Sequence, residues 1–192
     1  MTMAEMTEHV VFEGEYAETK IAKNLFFQDK KNKERMWCVC AAVDTTIDLK
    51  ALTKTLGCGS GNLRAGSEEA MFDKLGARKG ALTLFGILND TEKSVELVLD
   101  KRLAEDFERV AFHPMTNEAT TSITKEGMMQ VISASQHEPR ILDFAALAPA
   151  APAGGAPAQK PKKEKGAQQQ QKPKKEKKVA NADQRGIEYT KE

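Results

Sequence analysis

The composition of the chain changes sharply after Phe144, and this change limits which residues can form a folded domain. Residues 145–158 contain only Ala, Pro, Gly and a single Leu, so they lack the side chains that build a hydrophobic core. Residues 160–178 contain nine lysines and two glutamates, a composition typical of disordered segments. The sequence therefore predicts a short N-terminal segment (1–19), one folded domain (20–144), a disordered linker (145–178) and the start of a following segment (179–192).

Charge is divided unequally between these parts. The whole chain has a formal net charge of +1, while residues 160–178 alone contribute +7. Such an arm is either a solvated linker or a non-specific, salt-dependent contact with RNA phosphates. Its heptapeptide Gln159–Lys165 recurs as Gln171–Lys177, which is too short and too polar for a repeat fold. The lysines predicted to contact tRNA through this arm are Lys162, Lys163, Lys174 and Lys175.

The sequence predicts a cytoplasmic protein that does not contact a membrane. Residues 1–9 lack the basic start and the apolar run of a signal peptide. No stretch approaches the roughly 18 to 20 apolar residues of a membrane span. Three cysteines, an odd number, suit a reducing compartment. Cys38 and Cys40 lack the second pair of a zinc site, so we expect buried strand cysteines, no metal and no cofactor.

Apolar patterns predict a hairpin at the start of the domain. Leu25–Phe27 and Met36–Val43 are apolar runs joined by the polar turn Asp29–Glu34. Met36–Val43 is apolar at both odd and even positions, which is typical of a central strand covered on both faces.

Helix signals and strand signals then alternate along the chain. Asp48 is expected to cap a helix that ends at Gly57, and a second helix is expected between Ser67 and Gly76. The mixture favours an α+β (mixed α/β) fold, with a central mixed, largely antiparallel sheet flanked by helices. The later predicted elements are strands at Val95–Leu99, Val110–Phe112, Ala119–Ile123 and Ile141–Leu142, and a helix at Lys125–Ala134.

Single residues do not identify a chemistry. The sequence has no phosphate-binding loop, no nucleophile elbow and no paired histidines with metal spacing. His9 and His137 are expected to be solvent-exposed, whereas His113 follows an apolar run and can project into a cleft. Lys23 is either a surface charge or a functional lysine, and Gly80–Gly86 is either a turn or a loop against a ligand.

An ordered set of short motifs is more informative. Over residues 20–144 this set resembles, in order and spacing, the YbaK-like editing domains associated with prolyl-tRNA synthetase. The motifs are Lys23–Lys31, Trp37, Asp48–Leu52, Gly80–Phe85, Asn89–Thr91, Val98–Asp100, Phe112–Pro114, Asn117 and His137–Asp143.

The resemblance implies a mixed sheet flanked by helices and hydrolysis of a misacylated tRNA ester. By matching position it implies that Lys23, Gly80 and His113 take part in catalysis. It also implies a set of substrate-binding residues: Asn24, Ala81, Leu82, Thr83, Leu84, Phe85, Asn89 and Asn117.

The resemblance also indicates a substrate and a partner. The Lys23–Phe26 motif is similar to that of alanine-specific members, which implies that the substrate is tRNA(Pro) misacylated with alanine. Cys-tRNA(Pro) or another small misacylated tRNA is an alternative. So is a non-catalytic tRNA-binding appendage, because Leu84 and Glu118 stand where the family commonly has Pro and Thr. Gly186–Glu192 resembles the entry into the catalytic part of eukaryotic-type prolyl-tRNA synthetases, so we expect a fused synthetase or one acting in trans.

Overall fold

A seven-stranded mixed sheet forms the centre of the computed structural model, which describes residues 11–147. The strands run in the order β6-β5-β1-β2-β4-β7, and β3 pairs with the far end of β1. Their bounds are Lys20–Asp29 (β1), Met36–Ala42 (β2), Leu63–Ala65 (β3), Val95–Asp100 (β4), Arg109–Phe112 (β5), Thr121–Thr124 (β6) and Arg140–Leu142 (β7).

Five α-helices and two 3-10 segments connect or flank the strands. The 3-10 segments are Gly14–Tyr16 and Leu84–Asn89. The helices are Leu49–Thr55 (α1), Glu68–Leu75 (α2), Lys101–Glu105 (α3), Lys125–Ser135 (α4) and Phe144–Leu147 (α5).

The hairpin and its central strand are as predicted. β1 and β2 pair antiparallel, with Phe27 opposite Trp37 and Ala22 opposite Ala42. All seven residues of β2 are buried, because β2 lies between β1 and β4 and is covered on both faces.

The predicted mixed sheet is confirmed, with three antiparallel and three parallel strand pairings. β1 pairs antiparallel with β2 and β3, and β5 with β6. The other three pairings, β1 with β5, β2 with β4 and β4 with β7, are parallel. The connections from β2 to β4 and from β4 to β7 contain helices, and such long crossovers return the chain to the same end of the sheet.

The capping signals read from the sequence are present. The Asp48 carboxylate accepts hydrogen bonds from the N–H groups of Lys50 (2.7 Å) and Ala51 (3.1 Å) at the start of α1. Ser67 caps α2 in the same way through Ala70, and Gly76 ends that helix with φ of 62°. Because these interactions are local, the sequence could predict both helices.

Two apolar layers cover the sheet. The first face carries the side chains of Phe26, Cys38 and Cys40 and packs against α2, α4 and the 3-10 segment Leu84–Asn89. The second face carries Phe27, Trp37, Val39 and Ala41 and packs against α1 and Phe144. Cys38 and Cys40 are fully buried and unpaired, as predicted for strand cysteines.

The end of the domain differs in detail from the predicted boundary. The linker was expected to begin at Ala145, but Phe144–Leu147 forms a helical turn. Phe144 is buried, and the Asp143 carboxylate accepts hydrogen bonds from the N–H groups of Ala145 and Ala146, both at 3.1 Å.

Several predictions fall on residues that the structure does not describe. His9, the lysine-rich arm with Lys162, Lys163, Lys174 and Lys175, and residues 179–192 lie outside the described range. Within residues 11–147, no helix is long and apolar enough to cross a membrane.

The expectation that His137 is exposed is wrong. Its side chain is only 4% exposed, and its Nε2 lies 3.2 Å from the carboxylate of Asp90, which is itself 1% exposed. Asp90 also accepts hydrogen bonds from the N–H groups of Ser94 (3.1 Å) and Val95 (2.7 Å). The polar neighbours of His137 in sequence concealed this contact, because Asp90 is 47 residues away. The pair ties the end of α4 to the start of β4.

Replacing Asp90 by Asn should lower the free energy of unfolding by about 3 kcal/mol, because it leaves buried N–H groups and an imidazole without their carboxylate. Urea unfolding at pH 7 measures this change. Asp106→Asn is the matched control, since its carboxylate is exposed beside Arg102 and its loss should cost under about 0.5 kcal/mol. Equal stability of the two variants would contradict the assignment.

The same carboxylate should make stability depend on pH. Burial raises the pKa of Asp90, but hydrogen bonds from Val95, Ser94 and His137 outweigh it and hold the pKa below its ordinary value. A carboxyl group with a lowered folded-state pKa contributes stability above its unfolded-state pKa of about 3.9, and this contribution is lost as the pH falls through the folded-state pKa. Urea midpoints measured from pH 7 down to pH 3 should therefore converge for wild type and Asp90→Asn in acid.

Candidate active site

Along its outer edge, β1 pairs with two different strands, β5 and β3, and a gap remains between these two pairings. Its start pairs with β5 through Lys20 and Ile21, and its end pairs with β3 through Phe27–Asp29. Between these two pairings, the described β1 pairs only with β2, apart from a single hydrogen bond from Gly66 to Phe26. The gap therefore leaves the outer edge of Lys23 and Asn24 open.

His113 belongs to the same level of the sheet as Lys23. Ile21 lies opposite Ala111 in the parallel pair of β1 and β5. Parallel strands advance by the same rise per residue, so two residues further along, His113 leaves β5 where β1 reaches Lys23. The register thus places at one level of the sheet two residues that are 90 positions apart in the sequence.

Lys23 points to the second face of the sheet. Its ammonium donates hydrogen bonds to the carbonyl oxygens of Val43, at 3.1 Å, and of Thr45. Burial lowers the pKa of Lys23 below its ordinary value, against the opposing effect of Asp44 and Asp100. Two of its three N–H bonds are used, and no third partner is present among residues 11–147. The side chain is therefore held in place with one donor left for a ligand.

A groove of about 600 Å³ opens beside this ammonium. We call it the Lys23 groove. Its walls come from β1, from the turn after β2 and from the first residue of α1, and they are largely apolar. The residues that line it are Lys23, Leu25, Phe27, Val43, Asp44, Thr45, Thr46, Ile47 and Leu49.

The turn after β2, whose carbonyl groups bind Lys23, is stabilised by the buried carboxylate of Asp100. Asp100, 1% exposed at the end of β4, accepts hydrogen bonds from the Thr45 hydroxyl and from the N–H of Ala42 at 3.2 Å. Asp44, the residue before Thr45 in this turn, accepts hydrogen bonds from Lys20 at 2.7 Å and from Arg102 at 2.9 Å.

The hydrogen bond from Lys20, assisted by Arg102, lowers the pKa of Asp44 to about 2, so this carboxylate stays charged. Sequence reasoning assigned no role to Asp44 or Thr45, and it included Asp100 only as part of the motif Val98–Asp100. The signal available for them was the acidic residue that ends the apolar strand Val95–Leu99.

Asn24 points to the opposite face from Lys23, because successive side chains of a strand alternate. It lies opposite Cys40, whose side chain belongs to the first face. Its side-chain oxygen Oδ1 is buried and has no hydrogen-bond partner among the described residues. An unpaired buried acceptor costs about 1–3 kcal/mol, so this oxygen marks a position that a ligand donor can satisfy.

Two loops meet near the end of β5. His113 is buried, and its Nδ1 lies 3.0 Å from the carbonyl oxygen of Ala119. A carbonyl accepts only from a protonated nitrogen, so in the neutral ring Nε2 is the acceptor, and it has no hydrogen-bond partner among residues 11–147. Gly80 has φ of 85°, and a methyl group placed on it would lie 3.6 Å from Asn117 Nδ2. The loop 113–120 therefore contacts the loop that carries Gly80.

Other residues predicted to bind substrate have structural contacts. Leu84 is fully buried in the core of the first face. Asn89 donates a hydrogen bond to the carbonyl oxygen of Leu75 at 2.9 Å and so caps the end of α2. Thr83 accepts from the N–H of Phe85 and starts the 3-10 segment, and Phe85 packs edge-on against Phe112 with ring centroids 5.8 Å apart. Ala81 is buried, and Leu82 packs on the same core.

The predicted residues thus fall into two groups. The strand register places Lys23 and His113 at the same level of the sheet, Asn24 follows Lys23 on the other face, and Gly80 lies next to Asn117. Within residues 11–147 the hydrogen bonds of the Lys23 ammonium go to Val43 and Thr45, not to the Gly80–Phe85 loop. No group of three or more metal-ligating side chains occurs within residues 11–147.

Comparison with known proteins identifies the family of this domain. The sequence model of the aminoacyl-tRNA editing domain matches residues 1–131. The chain belongs to the aminoacyl-tRNA editing domain family.

Named relatives of this editing domain come from animals and a bacterium. The chain is 40% identical over 144 residues to the mouse "Prolyl-tRNA synthetase associated domain-containing protein 1", covering 74% of this chain and 82% of the relative. It is 38% identical over 115 residues to the "Prolyl-tRNA editing protein ProX" of Acetoanaerobium sticklandii, covering 60% and 68%.

Solved structures share the fold of the editing domain. The hypothetical protein APE2540 has a TM-score of 0.53 at 15% identity, covering 74% of this chain and 82% of its own. A scaffold used for epitope backbone grafting by computational design has a TM-score of 0.53 at 16% identity, covering 74% and 79%. At these identities the likeness concerns the fold alone.

Replacing Asn24 by Leu should leave the editing domain as stable as wild type or more stable, by up to about 2 kcal/mol, because it removes an unpaired buried oxygen. Urea unfolding measures the change. Asn89→Leu is the matched control, since it leaves the Leu75 carbonyl unpaired and should cost about 1–3 kcal/mol. A loss in Asn24→Leu equal to that of Asn89→Leu would show that the Asn24 amide stabilises the fold.

Proposed function

We propose that this editing domain hydrolyses the ester bond of tRNA(Pro) misacylated with alanine. The observation that carries the proposal is the gap in the outer edge of β1, where Lys23, Asn24 and His113 come to the same level of the sheet. A fixed ammonium, an unpaired amide oxygen and an imidazole with a free acceptor nitrogen are suited to a substrate with both anionic and cationic groups.

The anionic side of the substrate fits Lys23. An aminoacyl ester is already activated, so a positioned water molecule can hydrolyse it without a covalent intermediate. As water adds, negative charge develops on the carbonyl oxygen, and the free N–H of Lys23 can stabilise this charge or the terminal phosphate. The carbonyls of Val43 and Thr45 hold the ammonium in place, so little reorganisation is needed.

The cationic side of the substrate fits Asn24 and His113. The α-ammonium of the aminoacyl group and the ribose hydroxyls are hydrogen-bond donors, and they need acceptors when they leave water. Asn24 Oδ1 and His113 Nε2 are such acceptors. Gly80 adds a backbone that a substrate can approach closely, because it has no side chain.

Selection of alanine over proline would be steric. A pocket that admits a methyl group excludes a pyrrolidine ring. Hydrolysis of the smaller aminoacyl product is the second sieve of a synthetase whose own binding site discriminates poorly between the two amino acids. Cys-tRNA(Pro) carries a side chain only slightly larger than that of alanine, so it is the competing substrate.

We also propose that the partner is prolyl-tRNA synthetase, either fused to this chain or acting in trans, and that the compartment is the cytoplasm. The names of the relatives refer to this synthetase. The three cysteines are free and buried, which is compatible with a reducing compartment.

Replacing Lys23 by Ala should abolish deacylation of Ala-tRNA(Pro), with a fall in kcat of at least about 100-fold, the scale of losing one charge-stabilising donor. Single-turnover hydrolysis of labelled Ala-tRNA(Pro) by the full chain measures it. Lys101→Ala is the control, because that lysine is exposed and pairs only with Glu105. Activity within threefold of wild type in Lys23→Ala would overturn the proposal, provided that circular dichroism shows both variants folded.

Replacing His113 by Ala should have a smaller effect, chiefly on the choice of amino acid. We expect the ratio of kcat/KM for Ala-tRNA(Pro) to that for Ser-tRNA(Pro) to change by about 10-fold, the scale of one hydrogen bond in a specificity pocket. A panel of alanyl, seryl and cysteinyl tRNA(Pro) substrates measures it. Unchanged rates on all three would remove His113 from the site.

A further inference from the structure

A second groove lies against α1 and is positively charged, unlike the described part of the chain as a whole. Its volume is about 740 Å³, and its described lining includes Lys50, Lys54 and Arg64 but no acidic side chain. Residues 11–147 contain 18 Lys or Arg and 21 Asp or Glu, so the described part of the chain is acidic overall. We call this feature the basic groove, formed by these three side chains and the loop Gly57–Gly61.

The three charges of the basic groove are free to bind an anion. Lys50, Lys54 and Arg64 are all exposed, and none forms a salt bridge with a carboxylate in the described part of the chain. Arg64 only donates to the carbonyl oxygen of its neighbour Leu63, at 3.2 Å. Lys74, Lys101 and Lys125, by contrast, each pair with a glutamate. What distinguishes the basic groove from other unpaired lysines is that its three charges line one groove without an acidic side chain.

The loop adds backbone donors to these charges. The N–H groups of Gly57, Cys58 and Asn62 bond to carbonyl oxygens within the segment. Those of Gly59, Ser60 and Gly61 have no partner among residues 11–147, and they are exposed between the basic side chains. Consecutive free N–H groups in a turn form a concave site for anions such as phosphate.

Glycine is required at several positions of this loop. Gly57 and Gly61 have φ of 67° and 70°, and a methyl group on Gly59 would lie only 2.5 Å from Asn62 Nδ2. Bulkier residues would therefore change the backbone that presents the three N–H groups.

The basic groove adjoins the Lys23 groove. Leu49, the first residue of α1, lines both. Phe27 of the Lys23 groove lies opposite Ala65 of β3, next to Arg64. An extended strand that leaves the Lys23 groove over α1 therefore reaches Lys50, Lys54 and the loop.

We infer that the basic groove binds the phosphodiester backbone of the RNA whose 3′ end occupies the Lys23 groove. This inference rests on the proposed function for the position of the ester, but the binding itself does not require hydrolysis. The groove reads phosphate charge rather than base sequence, because its donors are cationic side chains and backbone N–H groups. Its role is to position the acceptor end of the tRNA.

The test compares two triple variants of the full chain that remove the same charge. Lys50→Gln/Lys54→Gln/Arg64→Gln removes the basic groove, and Lys74→Gln/Lys101→Gln/Lys125→Gln removes three lysines that already have partners. Fluorescence anisotropy with tRNA(Pro) that carries no amino acid, from 0.05 to 0.5 M salt, gives the dissociation constant and its salt dependence. The lysine-rich arm contributes equally to both variants.

Each phosphate contact contributes about 0.7–0.9 to the slope of log affinity against log salt. We expect the groove variant to lower this slope by about 2 and to raise the dissociation constant at least about 10-fold at 0.1 M salt. The control variant should stay within threefold of wild type. Equal behaviour of the two variants would overturn the inference.

Two further readouts separate this inference from the proposed function. When wild type is titrated with inorganic phosphate and followed by amide NMR, the resonances of Gly59, Ser60 and Gly61 should shift. In the same titration of the groove variant, these resonances should not move. In hydrolysis, the groove variant should raise KM at least about 10-fold with little change in kcat, whereas Lys23→Ala lowers kcat. Groove-dependent binding without any hydrolysis would refute only the proposed function. Hydrolysis with groove-independent binding would refute only this inference.

Discussion

The burial of β2 on both faces is the constraint on which the rest of the structure depends. A strand whose seven residues are all buried needs a partner strand on each edge and an apolar layer on each face. β1 supplies one edge along almost its whole length, so the outer edge of β1 becomes the first place where polar residues can interrupt the sheet. β5 and β3 each cover only part of that edge. The candidate site lies at the gap between them.

The two adjacent residues at the gap serve opposite faces and are held by different means. Lys23 is fixed by carbonyl groups of a turn, and that turn is in turn fixed by Asp100 through Thr45 and Ala42. Asn24 has no such support for its oxygen. A fold optimised only for stability would not leave a buried acceptor unpaired, because its desolvation is unfavourable. Lys23 is therefore a positioned charge, whereas Asn24 offers an acceptor that a ligand can satisfy.

The sequence predicted those parts of the fold that depend on nearby residues. The hairpin, α1, α2 and α4 were correct because a polar turn, a capping side chain or a glycine lies within a few residues of each boundary. β3 and α3 were missed, since three- and five-residue elements have too short a pattern. His137 was wrong because its burial depends on Asp90, far away in the sequence. Of the candidate site, the residues were named by resemblance, but their division between two faces of β1 could not be read from motifs. It required the strand register.

The distribution of positive charge around the Lys23 groove bears on how an RNA substrate approaches it. An acidic domain repels RNA at long range, so an RNA substrate must be drawn in by a local patch of positive charge. Lys20 and Arg102 are less available, because both bond to Asp44, at 2.7 and 2.9 Å, and Arg102 also lies 3.9 Å from the carboxylate of Asp106. Lys23 provides a single charge, which suits one oxyanion or phosphate but not a nucleic acid strand. The three unpaired cations of the basic groove lie beside it, across Leu49. A strand held there by its phosphates would place its end at Lys23, because the basic groove adjoins the Lys23 groove at Leu49.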